Sequence, residues 1–263
     1  MSGSAEGIPA DNRALPPKLR DVSQEHVERV RPHAAPRLAL LGAFGLSYEG
    51  REVRLSVPAR RVLAFLALHD RPVLRDHVAE MLWLDSTQDR AAGSLRSALF
   101  KLRQTAGCEL VEAQSGRLQL AVPVVVDARE AVAWAQRVLD PSTEAGDLHV
   151  NGLALAGDIL PDWYDDWVVL ERERFRELRV HALEVLCARL MSAERFGEAM
   201  EAGRAAIKGE PLRESAHRAV MSVHLAEGNR AEALDVYRRF RDRLQHELGL
   251  APSERMHELL DRI

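Results

Sequence analysis

The chain has 263 residues, of which 46% are hydrophobic and 29% charged, with a formal net charge of −4. That length favours two domains over one swollen core, and the composition excludes a wholly disordered or collagen-like chain. The longest apolar runs, residues 62–68 and 120–126, are far short of the ~18 residues a spanning helix needs, and no basic-then-apolar leader opens the chain, so a cytoplasmic protein without a membrane segment is expected.

Residues 1–36 hold Pro9, Pro16, Pro17, Pro32 and Pro36, which break any long element and predict a flexible N-terminal tail. Within it, residues 18–30 read either as a short helix with Leu19, Val22 and Val27 on one face or as a solvated linker. From Arg37 the pattern changes to short apolar segments at 38–41, 45–48 and 52–55 with Gly42, Gly45 and Glu49-Gly50 as turns, which predicts a small antiparallel sheet. Pro58 suits a first helical turn, and Val62, Leu63, Leu66 and Ala67 carry a helix to His69-Asp70. A second, short helix starts near Arg75-Asp76, and a third runs from about Asp89 to Ala106. Two alternating runs, 109–113 and 117–122, joined by Gln114-Ser115-Gly116, predict a β-hairpin. Sheet, three helices and hairpin together outline a winged helix-turn-helix over residues 37–123, expected to have a core of its own, so that a fragment ending near Pro123 should bind DNA by itself.

After Pro123 the sequence turns helical. Asp127 caps a helix over 128–139, and a loop follows at 141–146. Arg195-Phe196-Gly197-Glu198-Ala199-Met200 recurs as Asn229-Arg230-Ala231-Glu232-Ala233-Leu234, and Ala182 with Ala216 and Leu186 with Val220 keep the same spacing of 34 residues. This is the tetratricopeptide period, with small Ala199 and Ala206 where paired helices meet. The expected fold is therefore mainly α with small β-sheets: an N-terminal winged helix-turn-helix, then an all-α tetratricopeptide-like domain over 124–263.

Charge is unevenly spread: residues 37–121 hold 12 basic against 9 acidic groups, or +3, whereas residues 122–263 hold 19 against 26, or −7. Arginine outnumbers lysine throughout, so abundance alone carries no argument; what matters is where cations stand without acidic neighbours. Residues 90–106 contain Arg90, Arg96, Lys101 and Arg103 and no acid. At helical spacing Ala91, Leu95, Leu99, Leu102 and Ala106 form one stripe, leaving Arg90, Gly93, Ser97, Lys101 and Gln104 opposite and Arg96 and Arg103 on the flanks. A major groove admits a helix, and these side chains are donors to bases and phosphates, with Arg96 and Arg103 placed for phosphate. A solvated basic face is the competing reading. Ser115 and Arg117, with Gln114, sit at the hairpin tip, where a wing could reach an adjacent groove or form only a polar turn. Phe100 falls on the polar side of the wheel and either packs beneath the wing or touches DNA.

Elsewhere the chemistry is sparse. Asp162 to Trp167 combine three acids with three aromatics, which suits either a carboxylate site or an acidic helix start with aromatic anchors. His217 and His224 have no third ligand, and Cys108 and Cys187 read as reduced, inert thiols. No phosphate loop, dinucleotide fingerprint or nucleophile elbow occurs, so no enzyme, metal or cofactor is expected.

Leu82-Trp83, the string from Arg90 through Ser94 to Arg103, Val126-Asp127-Ala128, Leu160-Pro161-Asp162-Trp163, Trp167, Glu171-Arg172-Glu173-Arg174, Pro211-Leu212-Arg213-Glu214, Gly228 to Leu234 and Glu247 to Ser253 occur in this order. The chain thereby resembles the small Streptomyces antibiotic regulatory proteins, which join an OmpR-type winged helix to a bacterial transcriptional activation domain. The resemblance covers residues 37–263 and adds Ser94 to the DNA-contacting set. Leu74, where the family often has a small polar cap, and Gly93, in place of Asn or Ala, depart from it. It implies a sequence-specific activator of a secondary-metabolite gene cluster, nucleoid-associated in the cytoplasm, that binds direct repeats of promoter DNA as a side-by-side dimer and recruits RNA polymerase through its sigma factor. The chain ends at Ile263 without the nucleotide-binding region of larger members, so control by ATP is not expected. The competing functions are a tetratricopeptide-type interaction module and a repressor using the same DNA contacts.

Overall fold

The computed structural model describes residues 35–261, and the reading of residues 18–30 lies outside them. The chain enters through three short strands, β1 (Arg37–Ala39), β2 (Gly45–Tyr48) and β3 (Arg51–Glu52), paired antiparallel with Leu38 opposite Leu46 and Ser47 opposite Glu52. A fourth strand, β7 (Val125–Val126), lies parallel to β1 and completes the order β3-β2-β1-β7. Sequence reasoning took those valines as the approach to a helix, because two residues show no period. The sheet is thus closed by a strand that arrives some ninety residues later.

Helix α1 (Val57–Ala67) carries Pro58 in its first turn and is buried at every position from Val62 to Ala67, so it is central rather than one-sided. After β4 (Val73–Leu74) come α2 (Arg75–Leu82) and α3 (Gln88–Ala106), then the hairpin β5 (Val111–Gln114) and β6 (Arg117–Leu120). The second sheet has the order β4-β6-β5, with Val73 facing Leu118. The hairpin turn, Ser115-Gly116, has φ of 51° and 72°, a type I′ geometry that matches strand twist and that glycine adopts freely. Leu74 precedes α2 at the cap position and makes no side-chain cap, as its chemistry dictates.

The second half is helical: α4 (Asp127–Leu139), the short α5 (Gly152–Leu155), α6 (Asp166–Ser192), α7 (Phe196–Gly209), α8 (Glu214–Ala226), α9 (Arg230–Leu248) and α10 (Glu254–Leu260). The repeat is real in space, since α7 and α9 begin 34 residues apart, and Ala182, Ala199, Ala216 and Ala233 are all wholly buried. Helices approach closely at Gly203, where a Cβ would lie 2.7 Å from Val220 Cγ2 and 3.3 Å from Cys187 Sγ. Burial there pushes the Cys187 thiol up to about 11, which keeps it protonated and inert.

The winged helix does not keep its interior to itself. One hydrophobic cluster holds Leu38, Phe65, Leu95 and Leu118 together with Ala128, Leu160, Trp167 and Phe175. A second cluster joins α4 to α6 and α7 through Trp134, Val138, Leu183, Leu186, Leu190 and Ala202, and a third gathers Met221, Tyr237, Phe240 and Met256. Polar clamps reinforce the first. The Asp127 carboxylate accepts from the Leu40 and Leu41 amides at 2.8 and 3.1 Å. Arg129 donates to the carbonyls of Leu66, Ala67 and His69 at 3.1, 2.8 and 2.7 Å, satisfying the end of α1. Arg61 pairs with Asp165, Phe65 meets Trp167 edge-on at 5.2 Å, and Phe44 stacks on Trp163 at 5.9 Å. The acidic aromatic segment is therefore an anchor between the halves, and no cluster of three or more potential metal ligands occurs among the described residues.

Candidate nucleic-acid interface

Helix α3 buries Ala91, Leu95, Ala98, Leu102 and Ala106 against α1 and α2, and Leu99 is half-buried beside them. The opposite side is solvent-facing: Arg90, Arg96, Ser97, Lys101, Arg103 and Gln104 are exposed, and Ser94 is half-buried at the margin. Among the described residues none of these four cations makes an ion pair or a side-chain hydrogen bond, although Asp89 stands next to Arg90 in sequence. Ser97 Oγ donates to the Gly93 carbonyl at 3.1 Å, which leaves its lone pairs, not its proton, turned outward.

The hairpin leans on α3 and leaves a cleft of about 190 Å³ between them, floored by Leu102, Leu110, Val111 and Leu118 and edged by Arg75, Arg96, Phe100 and Arg103. Arg75, on the first turn of α2, was not singled out from sequence, because nothing in its neighbours separates it from other arginines; only folding brings it beside Arg96 and Arg103. Ser115 sits exposed at the hairpin tip. Arg117 is also exposed, but its guanidinium donates to the Pro72 carbonyl at 3.2 Å, so it is directed to the base of the wing. Phe100 is 61% exposed, far from the burial of Leu118 or Leu95. It edges the cleft without being covered by the wing.

The acidic half treats its arginines differently. Asp158 accepts from Arg176 at 2.7 Å and from Arg179 at 2.8 Å, and Arg179 is only 7% exposed. Burial pulls the Arg179 guanidinium below its ordinary range, while the hydrogen bond to Asp158 lifts Arg176. Arg172 donates to the carbonyls of Ile159, Leu160 and Trp163, and Arg189 to those of Val138, Asp140 and Thr143. His217 is buried against Phe240, with Nε2 2.9 Å from the Pro211 carbonyl, and burial lowers its pKa. It is a core histidine.

A winged helix whose third helix carries a cationic face without an ion pair among the described residues, fused to a helical repeat, is the build of a transcriptional regulator of the Streptomyces antibiotic regulatory type. The sequence matches the family described as bacterial transcriptional activator domain over residues 125–263, more than half of the chain, and the chain belongs to that family. It is 26% identical over 241 residues to the regulatory protein AfsR of Streptomyces coelicolor and 27% identical over 244 residues to AfsR of Streptomyces griseus, in each case covering 87% of this chain. The chain spans about a quarter of the length of these relatives, 24% of each. In fold it is similar to Mycobacterium tuberculosis EmbR, solved in complex with a low-affinity phosphopeptide, with a TM-score of 0.67, 23% identity, and coverage of 87% of this chain and 64% of that one.

Proposed function

We propose that the chain is a sequence-specific DNA-binding transcription activator in which residues 37–123 read promoter DNA and residues 124–263 contact protein. Helix α3 enters the major groove with Arg90, Ser94, Ser97, Lys101 and Gln104 toward base edges, Arg96 and Arg103 meet the flanking phosphates, and the wing meets the neighbouring backbone through Ser115 at its tip and, at its base, the Arg117 donors not spent on the Pro72 carbonyl. The single observation that carries this reading is the run of four cations on α3 that face away from the core and have no acidic partner among the described residues. Cations held in water keep their capacity to displace counterions from phosphates, which is the source of salt-dependent DNA affinity. The helical half, at −7 over residues 122–263, is repelled by DNA and suits protein: RNA polymerase with its sigma factor, and a second copy side by side on direct repeats. A secondary-metabolite gene cluster is the proposed target and the nucleoid the proposed location.

The test is fluorescence anisotropy on a duplex selected by the intact chain from a random pool, at several salt concentrations. Arg90→Ala and Lys101→Ala should each weaken the selected site by about 1–3 kcal/mol, roughly five- to 150-fold, with unchanged helicity. Equal affinity of parent and variants at unchanged helicity would remove α3 from the interface.

A further inference from the structure

On α3 the residues at 93, 97, 100 and 104 succeed one another at spacings of four, three and four, so Gly93, Ser97, Phe100 and Gln104 form one straight stripe along the helix. That stripe lies opposite the buried line of Ala91, Leu95, Ala98, Leu102 and Ala106. Arg96 and Arg103 run along one side of it, toward the wing, and Arg90 and Lys101 along the other. Phe100 therefore stands at the middle of the cationic face, 61% exposed, where a large ring gains nothing from water. A residue meant to seal the wing would be covered, as Leu118 is at 1% exposure. Toward the helix N-terminus the stripe adds little bulk: Gly93 has no side chain, and Ser97 is turned back onto the Gly93 carbonyl. Gln104, one turn the other way, is polar, so Phe100 is the one apolar side chain on the stripe.

We infer that Phe100 is a specificity-determining residue that reads a thymine by apolar contact with its 5-methyl group in the major groove. This rests on the DNA-binding reading above. Arg96 and Arg103 on one side hold the helix to the phosphate backbone, Arg90 and Lys101 on the other reach base edges, and the stripe lies between them along the groove floor. Along the floor of the major groove the thymine methyl is the one apolar feature that a base pair presents, and an aromatic ring is a suitable partner for it. Ser97 and Gln104, one turn to either side, supply the polar contacts that fix the register of the neighbouring base pairs.

The experiment uses the intact chain and a duplex that it selects from a random-sequence pool, in which each thymine is replaced in turn by deoxyuridine, which removes the methyl group and leaves every hydrogen-bonding atom. One replacement should weaken binding by the parent about fourfold, the worth of one buried methyl group. Phe100→Ala should bind the thymine site less well than the parent and bind thymine and deoxyuridine versions alike, whereas Phe100→Leu, which keeps an apolar tip, should retain part of the preference. Because Phe100 is exposed, neither variant threatens the fold. Salt-dependent binding in which no thymine is distinguished from deoxyuridine, or in which Phe100→Ala keeps the parent's preference, overturns the inference and leaves DNA binding standing. Failure of the intact chain to select or bind any duplex overturns both.

Discussion

In α3, Arg90, Arg96 and Arg103 make no ion pair among the described residues, whereas in the helical half Arg172, Arg176, Arg179, Arg189, Arg195 and Arg213 all bind carboxylates or backbone carbonyls. The side chain is the same and the electrical setting is opposite. A guanidinium with five donors closes loop ends and helix ends when carbonyls surround it, and those bonds hold it in one geometry. Left in water on a face without acids, it is a mobile counterion for phosphate. Counting arginines therefore says nothing about partners; asking which of them are already satisfied says a good deal.

The sharpest way to break the contrast is to cut between the two regions. A fragment ending at Pro123 retains α3 but loses β7 from the sheet, Asp127 from the Leu40 and Leu41 amides, Arg129 from the end of α1, and Trp167 and Phe175 from the shared cluster. It is expected to show no cooperative thermal transition, and fragment and whole chain can be compared by circular dichroism. A sharp transition close to that of the whole chain would show that the winged helix stands alone.

Next in size is removal of a partner from a satisfied arginine. Asp158→Ala leaves Arg179, 7% exposed, without its carboxylate and should destabilise the chain by about 3 kcal/mol in urea denaturation, since an unpaired buried charge is costly. Arg96→Ala and Arg103→Ala should leave the urea midpoint within the scatter typical of surface changes but lower the salt slope of DNA binding by about one unit for each lost phosphate contact. A shared phenotype for the two kinds of arginine would erase the distinction.

Glycine sharpens the comparison from the side of packing. At Gly203 an added methyl meets Val220 and Cys187 too closely, so Gly203→Ala should cost about 1–3 kcal/mol by overpacking. At Gly93 the added methyl meets only the Arg96 guanidinium, at 3.8 Å, so Gly93→Ala should instead stabilise α3 by about 0.5–1 kcal/mol. Thermal midpoints of the two variants on either side of the parent would bear this out, and shifts of the same sign would contradict it.

The smallest effect concerns acid. Burial lowers His217 from its ordinary 6.5, and its Nδ1 is buried without a partner among the described residues, so protonation would place a donor against no acceptor there. Between the folded value and 6.5 the unfolded chain binds the extra proton, so this contribution to stability is whole above pH 6.5 and shrinks as pH falls through that window. His217→Leu should flatten the stability curve there, as read from urea midpoints across pH 7 to 5. An unchanged slope would assign the acid sensitivity to other groups.

Periodicity alone determined much of this protein. The apolar stripe of α3, the hairpin with its turn at Ser115-Gly116 and the 34-residue spacing that buries Ala199 and Ala233 alike are all local patterns, and local patterns survive folding. The motif strings were equally visible, but their purpose was not: Asp127, Asp165 and Trp167 fasten the two regions together, a role that needs partners 86 to 104 residues away. Tertiary structure decided the rest. Two-residue strands such as β4 and β7 have no period to read, and they exist because a neighbouring strand offers unpaired amides and carbonyls. Which arginines remain free, and which face of Phe100 stays uncovered, depend on what the distant chain brings alongside, and no window of sequence contains that.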